Sequence, residues 1–467
     1  MKKFGLYPEL PAAGDWVSLG QPEDHAPQDW VYLGRLSEYG RRYSVRFAVQ
    51  DEKVIAIFGK RGQGKSFTLG CLLEALALAE PDESVAHIER PRAVLLFDPL
   101  NIFQWIDVPL TDDAADVSAE LKEQVERARR WGLQGSPIRA QILYPAGHSE
   151  STFREGAAEF RLGVDGFGLD EWSSLFGFDT VRDVRGQLVT ELFEKVTQLG
   201  WTSLSGESHG PLTQPDIADY VRCLQEDADI NSGIYTSESV RAVSQRLRSI
   251  ASHQVFQGKG MPLTQLLKPG CVTVLLMNAL PADLRNVLAS VLVRRILRGR
   301  AVASAAQKDL LLNPKLTADG REERQRVIAD APPKTWIVVD EAQDLIPGDR
   351  KTAASDSIVK LVKEGRNFGL SFVLTTQQPV AVDSRVLSQV ETFIVHKLVS
   401  RADIDRTLEN LKCPVPDEIR DGSNVIQMPA LISALSIGQV IVSDTYARRC
   451  AVVEVRARIA AHGGFEA

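Results

Sequence analysis

Gly59-Lys-Arg-Gly-Gln-Gly-Lys65-Ser66 is the stretch from which the rest of this 467-residue chain can be read. It fits G-x-x-x-x-G-K-[ST], a turn whose glycines let successive backbone N–H groups aim at phosphate oxygens, where side chains would obstruct. The run before it, Val54–Phe58, is wholly apolar, as expected of a strand buried on both faces of a parallel sheet. The run after it, from Phe67 to Ala79, is rich in leucine and alanine and suits a helix, whose positive N-terminal end adds to an anion site. Lys65 is then placed to reach β- and γ-phosphates and Ser66 to ligate magnesium. The expected nucleotide-binding set is Gly59, Gly62, Gly64, Lys65, Ser66 and Phe67, and the expected ligands are ATP and Mg2+. A chance match is the plain alternative, and the position between an apolar strand and a helix argues against it.

A second stretch, Trp336-Ile-Val-Val-Asp340-Glu341, reads as another buried strand ending in two acids. Unpaired buried carboxylates are costly, and a metal ion offers the compensation. In that reading Asp340 holds magnesium through water and Glu341 polarises the attacking water as general base. An exposed acid pair at a strand end is the bland alternative.

Length and composition frame these motifs. The chain is long enough for about two or three domains. Its hydrophobic share of 44% and charged share of 25% are those of an ordinary soluble protein with a large core. Lys plus Arg number 54 against 61 acids, a net charge of −7, which argues against bulk basic coating of nucleic acid but not against a local basic channel. Cys71, Cys223, Cys271, Cys413 and Cys450 are scattered, so neither a zinc site nor a disulfide framework is expected, and buried reduced thiols are. No uncharged apolar run approaches bilayer length and the N-terminus lacks a signal-peptide core, which together predict a cytoplasmic protein without membrane contact.

The expected fold is α/β: a RecA-like core with a mostly parallel sheet, a helical insertion and a short N-terminal β segment. Residues 1–50 form an arm and an abbreviated β-barrel segment, with strand-like stretches at Trp30–Leu36 and Tyr43–Val49. Residues 51–110 begin the core, with a second strand at Ala93–Phe97 ending at Asp98. Residues 111–265 read as a largely helical insertion. Residues 266–430 complete the core with strands at Val272–Met277, Trp336–Val339, Leu370–Thr375 and Thr392–His396, a long helix near 281–304, a polar linker after it, and a helix near 353–365. Residues 431–467 hold two closing β-like runs and a tail.

Asp340-Glu-Ala-Gln-Asp344 looks like the acidic box of superfamily 1 helicases, but no G-D-x-x-Q run follows it. The next strand ends Leu374-Thr-Thr-Gln377-Gln-Pro379, with Glu364-Gly-Arg366-Asn-Phe-Gly369 ahead of it. That ending resembles the HerA branch of the HerA/FtsK translocases. Val31-Tyr-Leu-Gly-Arg-Leu36 is similar to the family's barrel segment, Asp98-Pro-Leu-Asn to its acidic turn, and Val386-Leu-Ser-Gln-Val390 to the element after T-Q-x-P. Leu435-Ser-Ile-Gly-Gln439 through Val455 to His462-Gly-Gly464 resembles its closing strands and terminus. The resemblance covers most of the chain, and it is carried by the order and spacing of the motifs together.

The resemblance implies a homohexameric ring with ATP between neighbours and double-stranded DNA in the pore. Under it, Gln377 is the polar sensor beside the γ-phosphate and Arg366 neutralises charge developing in phosphoryl transfer. Read plainly, Arg366 is a cation at a helix C-terminus and Gln377 a turn residue. Several positions depart from the family pattern. Lys60 and Arg61 replace small residues, and Gln378 replaces an arginine. Lys53 stands where relatives often carry a trans-acting arginine, and it lacks the planar fork that such a role uses. Asp98 lacks the following G-E pair, so no second catalytic acid is expected there. Arg350 and Lys351, in the loop after the acid pair, are the candidate DNA contacts, or else a solvated charge pair. The function expected is an ATP-hydrolysing, helicase-like DNA translocase working with a nuclease or other effector, in DNA-end processing or, as the short barrel favours, antiviral defence. The alternative is an ATP-gated ring scaffold that regulates an effector without moving along DNA. A conjugation-type pump is a third reading, less favoured for want of membrane segments.

Overall fold

A computed structural model describes residues 15–21, 27–37, 43–111, 118–148, 153–165, 167–179, 182–412, 418–421, 424–446 and 449–464. Most of the N-terminal arm, the Glu38-Tyr-Gly connection and Cys413 lie outside them.

Eight parallel strands form the centre of a 14-stranded sheet. Across the sheet they run Thr392–Val395, Val54–Phe58, Leu370–Thr376, Thr335–Val339, Ala93–Asp98, Val272–Leu276, Ala140–Pro145 and Ala158–Phe160. The first six of these strands are largely apolar because both faces are covered. Alternate residues enter two separate cores. Ala56, Phe58, Leu95, Phe97, Ile337 and Val339 face the helices that contribute Trp172, Leu188, Tyr220, Leu247 and Leu292. Ile55, Ile57, Val94, Leu96 and Val338 face the helix after the glycine turn and the N-terminal strands.

Two strand-like stretches near the N-terminus pair as an antiparallel hairpin, Trp30–Leu36 with Ser44–Ala48. The hairpin is continuous with the main sheet: Trp30–Leu36 pairs with Arg449–Val455, which pairs with Gln439–Asp444, which pairs with Thr392–Val395. The closing runs therefore bridge the N-terminal strands to the parallel core.

In two places the structure differs from the reading of the sequence. Within 111–265, Ala140–Pro145 and Ala158–Phe160 extend the parallel sheet, while the remainder is mainly helical. Ala140–Pro145 carries only the short apolar run Ile142–Tyr144, and Ala158–Phe160 carries none. The long helix reaches Leu312, and the stretch read as a linker contains a further helix, Ala318–Asp330. That helix buries no residue, so it has no apolar stripe to be read. Its start is set by Thr317, whose side chain accepts from the Gly320 N–H at 3.1 Å. Among the described cysteines, Cys71, Cys223 and Cys271 are buried and free, and Cys450 is buried. No described helix is long and apolar enough to cross a membrane.

One buried ion group ties the chain ends to the glycine-turn helix, Lys65–Leu76. Glu74, Arg456 and Arg458 are all within 2% of full burial. Glu74 accepts from Arg456 at 3.2 Å, from Arg458 at 2.5 Å, and from the backbone N–H groups of Ile459 and Ala460 at 3.2 and 3.1 Å. Arg456 also donates to the carbonyls of Tyr32, Cys71 and Ala457. Removing the carboxylate leaves two guanidinium charges buried without their counter-ion. Glu74→Ala is expected to cost about 3–5 kcal/mol in guanidinium unfolding; a loss below about 1 kcal/mol would show that the group is dispensable.

Candidate active site

The glycine turn leaves the C-terminal end of Val54–Phe58 and feeds Lys65–Leu76. Gly62 and Gly64 have φ of 75° and 97°, the left-handed region that favours glycine. Gly59 is required for a different reason: a Cβ there would lie 2.6 Å from Cβ of His396. His396 forms the floor of the turn, its Nε2 3.0 Å from the Thr68 hydroxyl. Burial depresses its pKa to about 3, so the ring is neutral. The histidine was not picked out from the sequence, where it is one of seven dispersed copies. Backbone bonds from Gly59 N to the Thr376 carbonyl and from Lys60 N to the Lys397 carbonyl hold the turn to its neighbours. The side chains of Lys60 and Arg61, the departures from small residues, are exposed.

Lys65 is buried, and burial lowers its pKa while Glu341 and Asp340 act in the opposite sense. Both acids follow the strand Thr335–Val339, separated from the glycine-turn strand by Leu370–Thr376 alone. Thr375, on that intervening strand, joins the acids: its hydroxyl donates to Asp340 Oδ1 and accepts from the Glu341 N–H at 3.2 Å. Glu341 has φ 52°, unusual for a non-glycine residue and held by that bond. Its carboxylate accepts from Gln377 Nε2 at 2.6 Å on one oxygen and from Gln343 Nε2 at 2.8 Å on the other. Thr376 in turn donates to Gln343 Oε1 at 2.8 Å. Gln343, Thr375 and Thr376 were not singled out in the sequence. The only hint was the Asp340-Glu-Ala-Gln spacing, and side-chain contacts between strands are not visible in a linear string.

Asp340 is 1% exposed and its Oδ2 has no hydrogen-bond partner. Burial, then the neighbouring Asp98, push its pKa up to about 7. Asp98 is itself raised to about 6 by burial, although it accepts backbone N–H groups from Leu100 at 3.1 Å and Phe103 at 2.8 Å. Those bonds make it the anchor of its turn.

Lys65, Asp340, Glu341 and Gln377 therefore converge at the C-terminal ends of three adjacent parallel strands, beside Ser66 and Phe67 on the helix. Arg366 does not join them. It lies in the short turn Gly365–Phe368 before Leu370–Thr376, at the other end of that strand. Seven residues of strand put it about 20 Å from its own chain's glycine turn. There it is exposed and pairs with Glu391 at 3.0 Å, and Glu391 also accepts from Tyr446 at 2.9 Å. Lys53, at the same end, is buried, donates to the Gly20 carbonyl at 2.6 Å and lies 4.2 Å from the Tyr446 ring centroid. It is thereby engaged within its own chain. Lys351 is exposed with Asp356 3.8 Å away, and Arg350 lines a cavity beside Asp340.

The family model described as "Helicase HerA, central domain" matches residues 31–296, more than half of the chain. The chain belongs to the HerA family. The matched segment contains the glycine turn and Asp98 and ends before Asp340. The DNA double-strand break repair helicase HerA of Sulfurisphaera tokodaii is 25% identical over 189 residues, 40% of this chain and 32% of that one. Its namesake in Pyrococcus furiosus is 23% identical over 213 residues, 42% of this chain and 38% of that one. The chain thus spans about a third of the length of the curated relatives it matches. VirB4 of Thermoanaerobacter pseudethanolicus has the same fold at a TM-score of 0.53 and 13% identity, over 94% of this chain and 98% of that one.

A HerA-type site implies a divalent cation, and the residues fit one. An orphaned, buried Asp340 oxygen offers a negative acceptor without a donor, and Ser66 opens the facing helix. The same burial has a pH consequence. A carboxylate whose folded pKa is raised binds its proton more tightly folded than unfolded, so stability from Asp340 is lost as pH rises from about 4 to about 7. Asp340→Asn is therefore expected to stabilise the metal-free protein at pH 8 by about 2–4 kcal/mol, a gain that shrinks toward pH 5. Urea midpoints at the two pH values measure it, and a variant no more stable than the parent at pH 8 would contradict it.

Proposed function

We propose that the chain is a Mg-ATP-hydrolysing hexameric ring that translocates double-stranded DNA and works with a nuclease or other effector partner, in DNA-end processing or anti-phage defence. The reading is carried by one observation: the buried lysine of a phosphate-binding turn and a buried acid pair meet at adjacent strand ends, with Gln377 hydrogen-bonded to Glu341. HerA family membership and the DNA repair helicases among its relatives support DNA as the track.

In this mechanism the turn's backbone N–H groups and Lys65 bind and orient the triphosphate. Ser66 and Asp340 would hold magnesium, which when bound would supply positive charge to the triphosphate. Glu341 accepts a proton from the attacking water, and the two glutamine amides fix the direction of its carboxylate. Gln377 bridges that base to the γ-phosphate and so registers whether the phosphate is present. Arg366 serves the site of the adjacent subunit, because its distance from its own turn leaves it no role there. Arg350 and Lys351 contact DNA phosphates as point charges; the Lys351–Asp356 pair is solvent-exposed and easily exchanged.

A nucleotide-gated scaffold is the second reading, favoured by the Arg366–Glu391 pair, which stores the arginine on its own subunit. Solution mass and ATPase rate with and without duplex DNA separate the two. A hexamer stimulated by DNA is expected; a monomer without DNA response would sink translocation, and an unresponsive ring would favour the scaffold. Glu341→Gln is expected to bind ATP normally and to lose about 100-fold or more of its turnover. Rings mixed from parent and Arg366→Ala subunits should lose activity faster than the mutant fraction rises, whereas a proportional loss would argue against service in trans.

A further inference from the structure

A cavity of about 80 Å³ opens on the far side of Asp340 from the intervening strand, between the Asp340–Arg350 segment and the start of the helix Ala282–Leu312. It is large enough for several water-sized groups. Its polar lining is Asp340, Asp344, Arg350, Arg285 and Asn286, and Met277 contributes an apolar wall. Two lining atoms are buried without partners and of opposite kind: Arg285 Nε, a donor, and Asn286 Oδ1, an acceptor. Asn286 is 6% exposed, and its amide nitrogen is already committed to the Ala282 and Asp344 carbonyls at 2.9 and 3.4 Å, which fixes the oxygen's direction. Asp344 is the anion nearest Arg285, but at 3.8 Å it is beyond hydrogen-bond range. The helix N-terminus adds positive potential at the same wall.

We propose that this cavity takes inorganic hydrogenphosphate, the product of ATP hydrolysis, so that phosphate and ADP leave by different routes. The proposal rests on the preceding reading for the origin of the phosphate. The chemistry of the lining selects this species. The Arg285 guanidinium, with its unpartnered Nε, suits its anionic oxygens, and its remaining P–OH supplies the donor that Asn286 Oδ1 lacks. A phosphodiester of DNA has no such hydroxyl, so it cannot supply the donor that the amide oxygen lacks. Asp340 forms the wall shared with the hydrolytic site, so the product crosses a single side chain to reach the cavity. Asp344 then yields Arg285 to the stronger, bidentate ligand.

The test is inhibition of steady-state ATPase by inorganic phosphate in the full-length protein. In the parent, inhibition is expected to be non-competitive with ATP. In Arg285→Gln the inhibition constant should rise about tenfold, and in Asn286→Asp, which adds a like charge, by more. The KM for ATP should stay within about twofold in both, a readout that general structural damage would not spare. Inhibition that is competitive with ATP, absent in the parent, or unchanged in both variants would overturn the proposal. If the parent hydrolyses no ATP, the preceding reading falls instead. Equilibrium dialysis of radiolabelled phosphate against parent and Arg285→Gln then decides the cavity alone, with equal retention or no retention overturning it.

Discussion

The structure turns on a carboxylate that burial leaves under-satisfied. Asp340 sits at the end of a strand covered on both faces, with one oxygen bonded to Thr375 and the other to nothing. In the absence of a cation this arrangement is costly, and burial raises the pKa accordingly. Stability spent at one point is recovered in the two cores on either side of the sheet. The result is a site that gains most when a positive ion and its attached anion arrive together.

The sheet order explains why the site can be built at all. Parallel strands place all their C-terminal ends on one edge, so turn, acids and glutamine meet there despite wide separation in the chain. Inserting Leu370–Thr376 between the turn strand and the acid strand puts Thr375, Thr376 and Gln377 between the two halves. Side chains from this strand hold Asp340 and Glu341 and, through Gln343, reach the second carboxylate oxygen. The strand thus joins the glycine-turn strand to the acid pair.

The same parallel order sends Arg366, Lys53 and Glu391 to the opposite edge. Lys53 is used up by Gly20 and Tyr446, whereas Arg366 stays exposed there. Arg366 and the glycine turn thus occupy opposite edges of one chain.

Much of this was legible in the amino-acid string. The glycine turn, the apolar strands and the acid pair follow local rules: glycine at left-handed positions, unbroken apolar runs where both faces are buried, and polar residues where strands stop. The departures at Lys60 and Arg61 were also readable, and the two residues are exposed. Features defined by contact between distant segments were not. His396 beneath the turn, Gln343 on the base, the Glu74–Arg456–Arg458 group and the short partly polar strands at 140–145 and 158–160 depend on which elements become neighbours. The helix Ala318–Asp330 left no periodic signal for the converse reason, having no fully buried residue. The sequence by itself determined which chemistry the chain carries, because backbone conformation and burial are written locally. Only the tertiary structure decided which side chains orient that chemistry and which edge each faces, because strand order is settled by packing between segments hundreds of residues apart.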